Sequence, residues 1–185
     1  MDASPGGAVS SAVEHCFHTA GVTGSSPVPP TIPIQLKISR STAIHEAAHA
    51  VAAVRAGLVF DHVTAVADLE EEIDGALHWT ELQTSGDIAM SDEASAVVLL
   101  AGPCAEARDR RLRVDRVFAG EGATDDREAV ASLGLSDEQF VTAGRDALAL
   151  IERDWALIER IADELERGRV LDFDEVAAIV DGEAG

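Results

Sequence analysis

Ser41-Thr42-Ala43-Ile44-His45-Glu46-Ala47-Ala48-His49-Ala50-Val51-Ala52-Ala53-Val54-Arg55-Ala56-Gly57 is the stretch on which the reading of this chain turns. It is rich in alanine, the strongest helix former. Ile44, Ala47, Ala48, Val51, Val54 and Arg55 recur at helical spacing. Ser41 or Thr42 is suited to the N-cap, where a side-chain oxygen satisfies an orphan amide of the first turn. Gly57 can take the left-handed conformation that closes a helix. His45 and His49 lie four residues apart and share one face. Glu46 stands beside the first of them.

Two imidazoles one turn apart can reach a single metal ion. Neutral imidazole suits Zn2+, which in a catalytic setting takes three protein ligands and keeps a fourth position open. Glu46 is then the candidate general base, taking a proton from a zinc-activated water and passing it to a leaving amine. HExxH is a short pattern and also occurs by chance in unrelated helices. The small Ala47 and Ala48 leave room for another element to approach the ion. A third ligand has to come from elsewhere, because no Gly and third His follow His49 at the metzincin spacing. The acidic candidates are Glu106, after Ala101-Gly102-Pro103, and Asp125 and Asp126, after Gly122-Ala123-Thr124.

Outward from this helix, Gln35–Ser39 reads as a short lead-in or strand. Val59–Ala67 alternates and is rich in Val, hence a strand; Asp68–Gly75 is an acidic turn; Ala76–Leu82 is a second strand, giving an antiparallel pair. Ser91 caps a helix running to about Arg111, with Gly102-Pro103 as an expected kink. Gly120–Thr124 is a loop, and Asp125 or Asp126 opens a helix through Leu133. Ser136-Asp137-Glu138 starts the next segment. Val141–Arg167 is strongly helical, with Leu148, Ile151, Trp155, Ile158, Ile161 and Leu165 on one face and Gly168 at its end. A short helix covers Asp172–Val180. The expected fold is mainly α with a small antiparallel β element.

The chain of 185 residues suits one domain with a real core, and its apolar fraction of 46% excludes a chain disordered throughout. A formal charge of −20 sets it against nucleic-acid phosphate and anionic lipid as partners. Cys16 and Cys104 form no CxxC pair and no disulfide framework, and no apolar run reaches the roughly 18 residues of a membrane span. With no signal peptide legible, the expected location is the cytoplasm. His62 and His78 read as surface or pocket residues, Trp79 and Trp155 as packing residues, and Cys104 as an inert buried thiol.

Residues 1–34 differ in kind: rich in Gly, Ser, Pro and Thr, and kept from helix by Pro27, Pro29, Pro30 and Pro33. They read as a disordered arm, followed by a single domain over residues 35–182. Ser10–His15 back-translates into a string that resembles the D-arm of a tRNA gene, and Val22–Pro27 into one that resembles the T-arm. The arm is thus expected to be a tRNA gene read as protein, which the nucleotide sequence tests. His15, Cys16 and His18 are, on that reading, codon accidents and no metal site.

Several ordered blocks carry a family resemblance from about Thr42 to Val180. Thr42–Val51 is similar to the HEAGHA helix of FtsH-type ATP-dependent zinc proteases. His62–Val66 followed by Gly75-Ala76-Leu77 resembles their next strand pair. Leu99-Leu100-Ala101-Gly102-Pro103-Cys104-Ala105-Glu106 resembles LLGGRAAE, with Pro103 in place of Arg, and Gly122–Asp126 resembles GASND. The close over Leu165, Val170-Leu171-Asp172 and Val176 is similar as well. The resemblance implies the helical architecture of that peptidase domain, a zincin-like HExxH helix, zinc held by His45, His49 and Asp126, and Glu46 as catalytic base. It leaves Glu106 as a supporting carboxylate and Asp125 as a neighbour in place of Asn.

The activity implied is that of a zinc metallo-endopeptidase. No Walker A sequence is present, so the expected substrates are peptides, exposed loops or unfolded chains, unless a separate ATPase feeds it. The family also implies a homo-oligomer. Two alternatives stand beside this: a non-catalytic peptidase-like interaction module, and a regulatory peptidase of a mobile element that cuts one repressor.

Overall fold

The computed structural model describes residues 38–66, 76–78, 83–84, 91–120 and 123–182. The expected arm over residues 1–34, the lead-in up to residue 37, the acidic turn over 68–75 and Trp79 lie outside the described residues.

The Ser41–Gly57 stretch forms α1 (Arg40–Arg55). Its cap is Ser39 rather than Ser41 or Thr42, with the Ala43 amide donating to the Ser39 carbonyl at 3.0 Å. The extra residues at its start are held by charge. Arg40 pairs with Asp109 at 3.4 Å, Asp163 at 3.4 Å and Glu166 at 3.1 Å, which draws the helix start onto two later helices. Gly57 takes φ 72° just beyond the end, as a C-terminal glycine should. Every residue from Ala43 to Ala53 is buried, the two histidines and Glu46 included. α1 is therefore the central helix of the domain, with no solvent face along those turns. Its alanines are what allow neighbours so close on all sides.

α2 (Asp92–Asp109) begins at Ser91, whose hydroxyl accepts from the Ala94 amide at 3.2 Å. It runs through Gly102-Pro103 as one helix, where a kink was expected. Its end is a tight left-handed turn at Arg111 (φ 54°), with the Leu112 amide reaching back to the Ala107 carbonyl at 2.8 Å. A five-residue helix that the sequence pattern did not reveal, α3 (Val114–Phe118), fills the connection to α4 (Thr124–Ser132).

α5 (Asp137–Glu166) is 30 residues long and joins the two segments expected separately. Ser136 and Gln139 form a reciprocal capping box that starts it. Ala143, Ala147, Leu150, Ile151, Ile158, Ile161 and Leu165 are buried against α1 and α2. Leu148, expected on that face, is 45% exposed. At about 100° per residue the buried positions form one stripe through the whole helix, and Leu148 falls outside its edge; the local break at Asp154 (φ −103°, ψ 15°) leaves that stripe continuous. Arg55 of α1 donates to the Asp154 carboxylate at 3.2 and 3.3 Å, and Arg108 of α2 donates to the Ile151 carbonyl at 3.3 Å while lying over the Trp155 ring. Side chains inserted beside the backbone ladder account for the bend. α6 (Phe173–Val180) closes the chain, capped by Asp172 and Glu175 in a second capping box.

The β element is small and antiparallel, but it is not one pair. The strand expected over Val59–Ala67 splits into β1 (Leu58–Val59) and β2 (His62–Thr64), because Phe60 turns into the core and meets Phe173 edge-on at 5.5 Å. β3 (Ala76–His78) is the described part of the second expected strand, Ala76–Leu82, and β4 (Gln83–Thr84) lies just beyond its expected end. β1 pairs with β4; β2 pairs with β3 on one side and with β5 (Leu171–Asp172) on the other. β5 joins from the far end of the chain, a partner that local alternation cannot disclose. The fold is thus mainly α with a small antiparallel β element, and residues 35–185 form one compact unit.

Candidate metal centre

α1 contributes His45 and His49, whose ring centroids lie 4.7 Å apart. α4 brings Asp126 against both. His45 Nε2 is 2.9 Å from Asp126 Oδ2, and His49 Nε2 is 3.3 Å from Asp126 Oδ1. One ligand atom from each of the three residues lies within 4.8 Å of the other two. The group is buried in the domain and can hold a metal ion. Of the three acidic candidates for the third position, Asp126 alone faces both Nε2 atoms. Asp125 is exposed, and Glu106 approaches His45 from the other ring nitrogen, at 3.4 Å from Nδ1.

The outer partners define what the inner nitrogens are for. His49 Nδ1 lies 2.8 Å from the Val98 carbonyl, an acceptor only, so the proton of a neutral His49 ring resides on Nδ1. Its Nε2 lone pair then points at a carboxylate oxygen. Two electron-rich atoms at that distance repel unless a cation or an added proton lies between them. His45 is arranged alike, with Glu106 on Nδ1 and Asp126 on Nε2. Carbonyl and carboxylate partners on the far nitrogen are the usual way ligating imidazoles are oriented. Glu106 is itself gripped by Arg110 one turn along α2.

Without a metal, protons take its place. Burial pulls the His45 pKa down, but the hydrogen bonds of Asp126 and Glu106 and the charges of Glu46 and Asp126 overcome this and push it up to about 10. Burial pushes the Asp126 carboxyl up, and the two histidines outweigh it, holding it well below the usual carboxylate range. Glu46 is buried beside His45, about 60° round the helix from His49 at roughly 100° per residue.

Space for an ion comes from Gly102. A Cβ built there falls 2.6 Å from His45 Nε2 and closer still to His49 Nε2. Zinc–imidazole bonds are about 2.0–2.1 Å, so the missing methyl corresponds closely to the ion's own place. The donor set, the orientation of both rings and this gap agree: the residues fit a metal bound by two nitrogens and a carboxylate.

Several contributors escaped the sequence reading. Val98 acts through its backbone and has no side-chain signature. Gly102 was legible only as a helix-weakening residue. Arg127 donates to the Phe118 carbonyl at 3.0 Å and to Thr124 Oγ1 at 3.4 Å, fixing the α3–α4 turn that presents Asp126. Arg110 has a signal, being four residues from Glu106 on one helix. His62 and His78 stand opposite each other on β2 and β3, and among the described side chains His62 takes no part in this group. Trp155 is a half-buried packing residue beneath Arg108, and burial pushes the Cys104 thiol up to about 11, as for an inert cysteine. Among the described residues, no helix is long and apolar enough to cross a membrane. No family model matches the chain, and no curated protein does; the functional reading rests on the geometry of the site and on the sequence blocks that frame it.

Proposed function

We propose that this chain is a zinc-dependent metallo-endopeptidase of the FtsH-type peptidase architecture, acting on peptides and unfolded segments, with a separate ATPase as the candidate supplier of unfolded chains. The observation that carries this is the convergence of His45 Nε2, His49 Nε2 and the Asp126 carboxylate within 4.8 Å of one another, with both imidazoles facing the space left by Gly102. Two imidazoles and one carboxylate form a zinc ligand set that leaves a fourth position for chemistry. Bound zinc supplies Lewis acidity and lowers the pKa of a water to around 7.

The protein's own groups do the rest. His45 and His49 present Nε2 inward because Glu106 and the Val98 carbonyl hold the opposite nitrogens. Glu46, buried beside His45, accepts the proton of the attacking water and returns it to the departing amine. Water thereby adds across the C–N bond, and the products are a carboxylate and an amine. Burial of the group excludes competing solvent. The acidic surface of the chain, at −20 overall, disfavours nucleic acid and favours neutral or basic peptides. The same chemistry suits a cytoplasmic enzyme and a homo-oligomeric one.

The experiment pairs elemental analysis with cleavage. The purified protein is expected to hold one tightly bound zinc and to cleave casein or a mixed peptide library. Glu46→Gln is expected to retain the zinc and lose at least about 100-fold in rate, the lower end of a general-base contribution. A zinc-loaded, folded wild type that cuts nothing in a broad library would point to the non-catalytic interaction module instead.

A further inference from the structure

Ser41 lies one turn before His45 on α1, and Arg110 lies one turn after Glu106 at the end of α2. Residues four apart on a helix share a face, so two short pairs meet where α1 packs on α2. Glu106 is their common partner. Its Oε2 faces His45 Nδ1 at 3.4 Å, and Arg110 grips its Oε1. The Glu106 carboxyl is held below its usual pKa by the His45 ring first, against the opposing effect of burial, with Arg110 and the neighbouring Ser41 hydroxyl contributing. Yet that hydroxyl is not committed. Among the described residues, Ser41 Oγ is the one buried side-chain polar atom with no partner at hydrogen-bonding geometry. An orphaned buried hydroxyl costs stability and calls for an explanation. The His45 side of the metal centre is also the looser one. His49 Nδ1 meets its carbonyl at 2.8 Å, whereas the 3.4 Å from His45 Nδ1 to Glu106 lies beyond the usual 2.7–3.2 Å of an N–H···O bond. An idle donor and a slack acceptor thus stand side by side.

We propose that Ser41 is a positioning residue of the metal centre: its hydroxyl donates to the Glu106 carboxylate and, with Arg110 on Oε1, fixes that carboxylate on His45 Nδ1–H while His45 Nε2 ligates the ion. The proposal rests on the metal-binding reading of the site and not on peptidase activity. A neutral His45 that ligates through Nε2 keeps its proton on Nδ1 and needs an acceptor there. Glu106 is that acceptor, and its hold on the ring sets both the ring's direction and its basicity. A carboxylate has about four lone-pair sites, so Ser41 does not compete with His45 or Arg110. The residue type fits this role. Alanine is the better helix former and fills most of the buried turns that follow, at Ala43, Ala47, Ala48 and Ala50. At position 41 it would occupy the same space and supply no donor.

The test measures Zn2+ affinity of the full-length, chelator-stripped protein by competition with a chromogenic chelator, together with the visible absorption of the Co2+-loaded protein. Wild type, Ser41→Ala, Glu106→Gln and the double variant are compared. In the metal-free protein, Ser41→Ala removes an unpartnered buried hydroxyl and improves helix propensity, so the melting temperature should stay level or rise. Zinc affinity should nonetheless fall about 10-fold, and Glu106→Gln should weaken it about 10- to 100-fold. The Co2+ bands of both should move from those of wild type. Adding Ser41→Ala to Glu106→Gln should change affinity by no more than about 2-fold, because the residue it acts through has already been altered. A merely structural Ser41 gives the reverse: a lower melting temperature and unchanged zinc affinity. A Ser41→Ala protein that binds zinc as tightly as wild type, or whose loss is undiminished in the Glu106→Gln background, overturns the proposal and leaves the metal reading standing. If Glu106→Gln fails to fold by circular dichroism, the affinity of Ser41→Ala decides alone. A folded wild type that takes up neither ion removes the metal reading and this proposal with it, so the two failures are distinguishable.

Discussion

Replacing Gly102 by alanine adds one methyl group at the most constrained point of the molecule. That methyl falls 2.6 Å from His45 Nε2, 2.7 Å from His45 Cδ2 and closer still to His49 Nε2. Ordinary contact begins near 3.5 Å, so each ring must retreat by about 1 Å. Neither can do so freely: His49 is held by the Val98 carbonyl at 2.8 Å, and His45 lies between Asp126 and Glu106. Moving α2 away instead opens a buried helix contact. Overpacking of this kind costs about 1–3 kcal/mol. At about 2–4 °C per kcal/mol for a domain of this size, the metal-free protein should melt roughly 2–12 °C lower. The larger effect is on metal. The methyl occupies the ion's place, so zinc content after dialysis should fall from one equivalent to near zero while circular dichroism keeps its helical form. Gly144→Ala is the matched control. Gly144 lies in α5 with nothing within 4 Å of an added Cβ; the same substitution there should stabilise by about 0.5–1 kcal/mol and leave zinc untouched. A Gly102→Ala protein that binds zinc as tightly as wild type refutes the placement of the ion between α1 and α2.

Three further outcomes follow from the same geometry. Burial pushes the Asp154 carboxyl up, and Arg153 and Arg55 outweigh it, leaving its pKa below the usual value; its stabilising contribution is therefore full above about pH 4, the unfolded value, and is lost as pH falls through the folded one. Asp154→Asn should lower stability by about 1–3 kcal/mol at pH 7, less than a fully buried pair because both arginines are partly exposed, and should flatten the acid limb of a urea-midpoint-versus-pH curve; an unchanged limb counts against the Arg55 link. Arg111, left-handed at φ 54°, should gain about 1 kcal/mol on replacement by glycine, read as a higher urea midpoint at equal slope. Chelator treatment should lower the melting temperature and zinc restore it, by about 2.7 kcal/mol at a free concentration 100 times Kd. Because His45 is protonated up to about pH 10 in the metal-free site, zinc affinity should rise with pH and binding should release protons, visible as a buffer-dependent heat.

Helical spacing and a helix-ending glycine are local properties, and residues 41–57 display both, although the cap lies just outside them at Ser39. Hence α1, the starts of α2 and α6, and the mainly α fold class were legible without coordinates. The i,i+4 placement of His45 and His49 was legible for the same reason, since a helix converts spacing into a shared face. What the sequence did not disclose depends on contacts between distant segments. β5 reaches β2 across more than a hundred residues, and the split at Phe60 answers to Phe173. The break in α5 at Asp154 lies beside contacts from Arg55 and Arg108 of two other helices. The same holds at the candidate metal centre. Glu106, Asp125 and Asp126 are equivalent as ligand types, and family-like blocks favoured Asp126; the packing of α4 and α2 onto α1 then set Asp126 against both Nε2 atoms and turned Glu106 to Nδ1. The Val98 carbonyl and the empty Cβ position of Gly102 complete that arrangement. A backbone acceptor and a missing side chain leave no mark in a pattern of residue types, so only the tertiary structure decided the space an ion would fill.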